Sequence, residues 1–419
     1  MLKLLALSIA ALAFAIAWAP VYAQHAGAFK GSLDDPAIQY GTAPLDNVVV
    51  DVNRKLRDGT LKFSYDRRNG FLTAALDAFQ LSTDSQLLVF SRGSLQGKRI
   101  DDQNPRALYF NDRVAVGWVR DGDVIEVAAH DTLEGVVFYK LRQTAEPPPS
   151  PPQFTRAFEC LGCHVTGDTL GVPGLLMFST TRRVGQAFDG VPRHIDQSDP
   201  LAQRFGGWFV TGSTGSATHM GNDVPALDGR PSHELTSVDH LFDPDGYRAL
   251  TSDVAAHLVL THQAAMTNLL TRAGWEARIA SGPEDAVSAV VNGVAQEVVD
   301  HLLFLDETPL RDRVRGNSGF AERFSARGPR DRQGRSLYEL DLTRRLMKYP
   351  CSYMIYSPAF DALPRLAKEA IYRRMWDVLS AHEESSRYRS ALPLRVRQSI
   401  VEILRDTKKD LPEYFRAVR

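Results

Sequence analysis

The sequence predicts an α+β protein: a strand-rich N-terminal part followed by a mainly α-helical one. Three observations lead there. Short runs of β-branched and aromatic residues crowd the region from about residue 37 to 143, a proline run ends it, and after Thr251 the apolar residues recur at helical spacing. Composition sets the frame. Of 419 residues, 44% are hydrophobic and 24% charged, the profile of a globular chain with material for a sizeable core. A net charge of -1 shows no overall basic excess, so nucleic acid is not an expected partner. Three cysteines cannot staple a scaffold of this length.

In chain order, residues 1–23 read as a signal peptide. Lys3 precedes an apolar run, Leu4 to Ala19, and Val21-Tyr22-Ala23 presents small residues where a signal peptidase cuts, so cleavage is expected before Gln24. The run falls short of the ~20 residues that a membrane helix needs. The mature chain is therefore expected to be periplasmic or otherwise exported, with no membrane span. In residues 24–146, strands are expected at Gln86–Arg92, Arg106–Phe110, Val114–Val119, Val124–Ala128 and Gly135–Lys140, after a short helix near Phe71–Phe79. Turn residues Asn111-Asp112 and Asp121-Gly122 lie between them, which suggests hairpins. Residues 147–152, Pro-Pro-Pro-Ser-Pro-Pro, read as a stiff linker and domain boundary.

Residues 153–250 are rich in Gly, Pro, Asp and Ser and make a poor core alone, so an apolar ligand is expected to order them. Residues 251–419 are expected to be helical and to pack on that segment. An amphipathic helix capped by Ser252 runs to Leu270, then Glu284–Leu305, Leu363–Ala381 and Leu394–Asp406. Charge is uneven: residues 24–310 are acidic and 311–419 basic, which fits two parts neutralising each other or a basic face for an anionic partner.

One motif carries chemistry. Cys160-Leu-Gly-Cys163-His164 is C-x-x-C-H, the attachment sequence of a c-type haem. Two cysteines three apart on a helical turn can each add to a porphyrin vinyl group, and the next residue offers its imidazole to the iron as proximal ligand. A redox dithiol and a zinc site completed by Cys351 are the competing readings; no βαβ pattern surrounds the pair, and adjacent Cys and His rarely reach one tetrahedral ion together.

The segment resembles a class I cytochrome c. An aromatic turn, Phe154–Glu159, leads into the motif and Gly171-Val-Pro-Gly174 follows it. The resemblance implies that a proline carbonyl, here Pro173, accepts the proximal imidazole N–H, and that a methionine several tens of residues on is the distal ligand. Met220, in the loop Thr218–Asn222, is the candidate, with His219 beside it. His262 and Met266, at i, i+4 on the helix after Ser252, are further candidates, supported by Gln263 and Asn268; an open distal position is the remaining reading. His257 on the same helix, Met177 and Cys351 read as core residues, and Arg204 and Trp208 as either a propionate contact or ordinary core. More widely the chain resembles bacterial cytochrome c domain-containing proteins. That likeness rests on Arg106–Asp112, Cys160–His164, Gly206–Gly212, His219–Asn222, His262-Gln263, Gly328–Asp331, Tyr349–Tyr353 and Phe360–Pro364. It implies one covalent haem c and electron transfer with a redox partner protein. The size exceeds what a simple carrier needs. A haem c-dependent oxidoreductase, peroxidase- or oxidase-like with an open distal site, and a haem-based redox or gas sensor therefore stand as alternatives.

Overall fold

The computed structural model describes residues 27–145, 151–181, 192–224, 227, 234–383 and 385–416. The expected signal peptide, and residues 147–150 of the expected linker 147–152, lie outside them. The framework is a seven-stranded antiparallel sheet flanked by helices, in agreement with the α+β expectation. Its strands are β1 (Leu87–Val89), β2 (Arg106–Phe110), β3 (Val114–Trp118), β4 (Val124–Asp131) and β5 (Gly135–Arg142). Two short edge strands complete it: β6 (Thr155–Arg156) beside β5, and β9 (Trp208–Phe209) beside β1. Both edges come from residues after the proline run, so the run does not divide the chain into two sheets. The hairpin β7 (Phe178–Thr180) and β8 (Pro192–His194) stands apart from the main sheet.

Alternation along the strands sorts the two faces. Ala107, Tyr109, Val116, Ile125, Val127, Val137 and Tyr139 share one core with helices α1 (Val48–Arg57) and α2 (Leu72–Ala78). Leu87, Val89 and Phe110 belong to the other, larger core with the C-terminal helices. Helix α1 is an addition to the expected elements, lying within the stretch from about residue 37 to 143 that reads mostly as strand. Asn47 decides otherwise: its side chain accepts from the Val49 and Val50 amides, and Val49, Val52 and Leu56 are buried on one helical face.

The C-terminal helices begin, after the motif turn α3 (Leu161–His164), with α4 (Val254–Ile279) and α5 (Glu284–Leu302). Short helices α6 (Phe320–Ala326) and α7 (Pro358–Asp361) lead to α8 (Arg365–Leu379), α9 (Ser386–Ala391) and α10 (Leu394–Thr407). Helix α4 packs on α5, α5 on α8, and α8 on α10. The amphipathic reading of α4 needs correction: every residue from Val254 to Trp275 is buried. So does its cap. Asp253 caps the helix through the Ala255 and Ala256 amides, while the Ser252 hydroxyl accepts from the Leu88 amide of β1 and donates to the Phe209 carbonyl of β9. Ion pairs Arg323–Asp84 and Arg327–Asp112 join the basic C-terminal part to the acidic sheet, as internal neutralisation requires.

Glu134, in the β4–β5 turn, is buried, and neither carboxylate oxygen has a hydrogen-bond partner among the described residues. Burial raises its pKa to about 7, against the pull of Arg278. The folded state therefore holds this proton more tightly than the unfolded chain, and stability is lost as pH rises from the ordinary glutamate range through 7. Glu134→Gln should remove that loss. Melts at pH 5 and pH 8 should show the variant gaining on wild type by on the order of 2 kcal/mol at the higher pH; an equal difference at both would refute it.

Candidate haem site

The motif rides on the edge of the sheet. Strand β6 pairs with β5 in the register Tyr139–Arg156 and Lys140–Thr155, and the Ala157 amide donates to the Phe138 carbonyl at 2.9 Å. Lys140 pairs with Glu159, and the Arg156 guanidinium lies over the Tyr40 and Phe158 rings at 4.9 and 4.6 Å. From this anchored lead the chain winds through a 3-10 turn, Phe158–Cys160, into α3. Cys160 itself has right-handed helical angles, φ -64° and ψ -27°, so Cys160 to His164 is one continuous turn. That places the two cysteines, at i and i+3, on one side. Cys160 is half-buried and Cys163 exposed. Beneath lies an apolar floor of Val136, Phe138 and Ala157, with Ala128, Leu161 and Leu175 packed against it.

His164 is oriented from both ends of the following loop. Its Nδ1–H donates to the Gly174 carbonyl at 2.8 Å, and the Gly174 amide donates to the His164 carbonyl at 3.0 Å. The expected acceptor, Pro173, is displaced by one residue; its carbonyl faces the Val136 amide at 3.4 Å instead. The imidazole sits 4.5 Å from the Phe138 ring, and burial holds its pKa below the usual histidine value. It is thus neutral with Nδ1 protonated, and Nε2 has no hydrogen-bond partner among the described residues. This is the tautomer that binds a metal through Nε2. Burial, with the Glu126 and Glu159 carboxylates, pushes the Cys160 thiol up to about 11, so it is no activated thiolate.

Arg106 and Glu126 were not expected at the site. Arg106 forms a 2.6 Å ion pair with Glu126, and the field of both reaches Cys160 and His164. The guanidinium crosses Gly117, where a Cβ would lie 2.4 Å from it. Sequence singled out Arg106 only within a phrase of kinship; its place beside the motif follows from the β2–β3–β4 register.

Among the described residues, hydrogen bonds and ring contacts take the candidate distal ligands to partners other than His164. His262 is fully buried: Nδ1–H donates to Gln197 Oε1 and the Ser352 hydroxyl donates to Nε2, both at 2.6 Å. Its ring stacks on His301 and Phe304. Met266 and Met177 are core residues. His219 is buried, with Nδ1 accepting from the Gly221 amide at 3.0 Å. Met220 is half-buried, its sulfur 3.7 Å from the Ser179 hydroxyl, in the loop beside β7. The expectation that His262 faces the site needs correction. The α4 residue that meets the motif loop is Asn268, and six residues turn the direction by about 120° around a helix. Gln263 likewise serves the core, between the Asn111 carbonyl and the Tyr353 hydroxyl. His257 donates to the Phe209 carbonyl from among Phe205 and Trp208.

Arg204 is buried and spends its guanidinium on the Asp199 and Gln197 carbonyls, and Trp208 is buried with its N–H on the Phe178 carbonyl, which is the core reading of both. Cys351 is buried in the helical core, and the described residues hold no group of three or more His, Cys, Asp or Glu able to cage a metal. The zinc set is therefore not assembled. A haem asks for something different, two cysteines on one turn beside an imidazole with a free lone pair, and the residues present fit it.

Replacing His262 by alanine strands Gln197 and Ser352 in the core. It should destabilise the fold by about 3 kcal/mol and leave any visible absorption unchanged; a spectral shift without loss of stability would contradict this placement. No family model, curated protein or solved structure matches the chain.

Proposed function

We propose that this chain is an exported c-type cytochrome carrying one covalent haem c, bound through Cys160 and Cys163 with His164 as the proximal ligand, and that it transfers electrons to and from a redox partner protein in the periplasm. The observation that carries the reading is His164 itself: an imidazole on the turn that bears both cysteines, its Nδ1–H engaged by a backbone carbonyl and its Nε2 unengaged. Cys160 and Cys163 would hold the haem as thioethers through its two vinyl groups, and His164 would hold its iron. The iron supplies a one-electron couple. The protein's part is to hold the imidazole in one orientation, so that little reorganises when the charge changes, and to present an apolar floor at Val136, Phe138 and Ala157. The leader at residues 1–23 supports export, since such attachment is made outside the cytoplasm.

A second reading, a haem c-dependent oxidoreductase or sensor with an open sixth position, is favoured by the engagement of His262 and Met266 within the core. Met220, whose sulfur makes one long hydroxyl contact, is the distal ligand on the first reading.

Two measurements test these. Protein from a host competent in haem maturation should keep haem stain through denaturing electrophoresis, and Cys160→Ser/Cys163→Ser should lose it entirely; wild type that carries zinc or nothing refutes the proposal. Met220→Ala should abolish a long-wavelength ferric charge-transfer band and lower the potential. If spectrum and potential stay as in wild type and carbon monoxide binds the ferrous wild type at once, the open-site reading replaces the carrier.

A further inference from the structure

Resting on the cytochrome reading, we infer that Asn268 of α4 is a positioning residue for the proximal ligand, acting on His164 through two residues of the loop that follows the motif. Asn268 is buried, and its amide closes a two-bond ring with one residue: Oδ1 accepts from the Leu175 amide and Nδ2 donates to the Leu175 carbonyl, each at 2.8 Å. A side-chain amide thereby copies the pairing of a neighbouring strand. The next residue back, Gly174, is the one whose carbonyl holds His164 Nδ1–H at 2.8 Å. Residue 174 must be glycine for the same reason, because a Cβ there would fall 2.4 Å from Asn268 Oδ1.

The order of connection is therefore α4, Asn268, Leu175, Gly174, His164. Its stiffness comes from α4, a helix buried on every side around this point. The consequence is electronic as well as geometric. A strong Nδ1–H···O=C bond gives the imidazole imidazolate character, makes Nε2 more basic and favours the ferric state. Weakening the grip on Leu175 lets the Gly174 carbonyl drift, so the ferric state loses that support and the reduction potential rises. Nothing in the spacing of the motif reveals this link, since Asn268 follows His164 by about a hundred residues.

The test compares two buried amides on one helix in the haem-loaded full chain. Asn268→Ala removes the grip on Leu175. Gln263→Ala removes two bonds of the same kind, to the Asn111 carbonyl and the Tyr353 hydroxyl, away from His164. Both should lower the melting temperature. Only Asn268→Ala should raise the reduction potential and shift the Nδ1–H resonance of the ligated imidazole. Gly174→Ala should move both readouts in the same direction, and the double variant should do so less than additively. Wild-type values in Asn268→Ala, or equal shifts in Gln263→Ala, overturn the inference; if Asn268→Ala does not accumulate, wild-type values in Gly174→Ala do so. A wild-type chain without covalent haem would instead defeat the cytochrome reading. The grip is then read from the nitrogen chemical shifts of His164 in that chain, where Asn268→Ala should mix its tautomers and an unchanged tautomer overturns it.

Discussion

The structure depends on the burial, from Val254 to Trp275, of a helix that is far from apolar. Helix α4 places His257, Thr261, His262, Gln263, Thr267, Asn268, Thr271 and Arg272 out of water. A buried polar group without a partner costs about 1–3 kcal/mol, so each must be met by something fixed in space. The threonines turn back on their own helix, to the carbonyls of His257, Gln263 and Thr267. The others reach out: His257 to β9, Gln263 to the β2–β3 turn, His262 to the loop at Gln197 and to Ser352, Asn268 to Leu175, and Arg272 to Glu297 of α5. One helix thus fixes the Asn111 turn, the loop at Gln197, the turn at Ser352 and the loop at Leu175.

That requirement explains how a glycine-rich segment becomes ordered without a core of its own. The described residues of 153–181 and 192–224 donate both edge strands of the sheet and pack against α4. Their backbone polar groups are satisfied piecemeal: the Thr180 amide by the Gly206 carbonyl, the Val210 amide by Asn222, Leu175 by Asn268. Order comes from the surroundings. Among the described residues, the motif is a turn mounted on a sheet edge and backed by a helix.

This arrangement also bears on the chemistry proposed for the site. An imidazole hydrogen-bonded to a carbonyl that is itself clamped to a rigid helix resists reorientation, which suits a ligand whose iron alternates between charges. The ion pair of Arg106 and Glu126 adds a fixed dipole nearby, kept flat against the sheet by Gly117. The sheet therefore supplies both the apolar floor and the local field.

By itself the sequence determined the class of fold, the five expected strands, three of the four long C-terminal helices to within a few residues, and the motif Cys160–His164, because each rests on local spacing or on residue types that cannot substitute for one another; α4 instead runs past the expected end at Leu270 to Ile279. Local propensity missed α1, where a capping asparagine outweighed three β-branched valines, and it misread α4 as amphipathic, because periodicity counts polar residues as exposed. Tertiary structure alone decided which carbonyl holds His164, which residue of α4 faces the motif, and that His262 is spent on Gln197 and Ser352. Those choices are made by groups far apart in the chain competing for the same buried partners. The outcome depends on which of them the fold brings within about 3 Å, and no spacing along the chain encodes that.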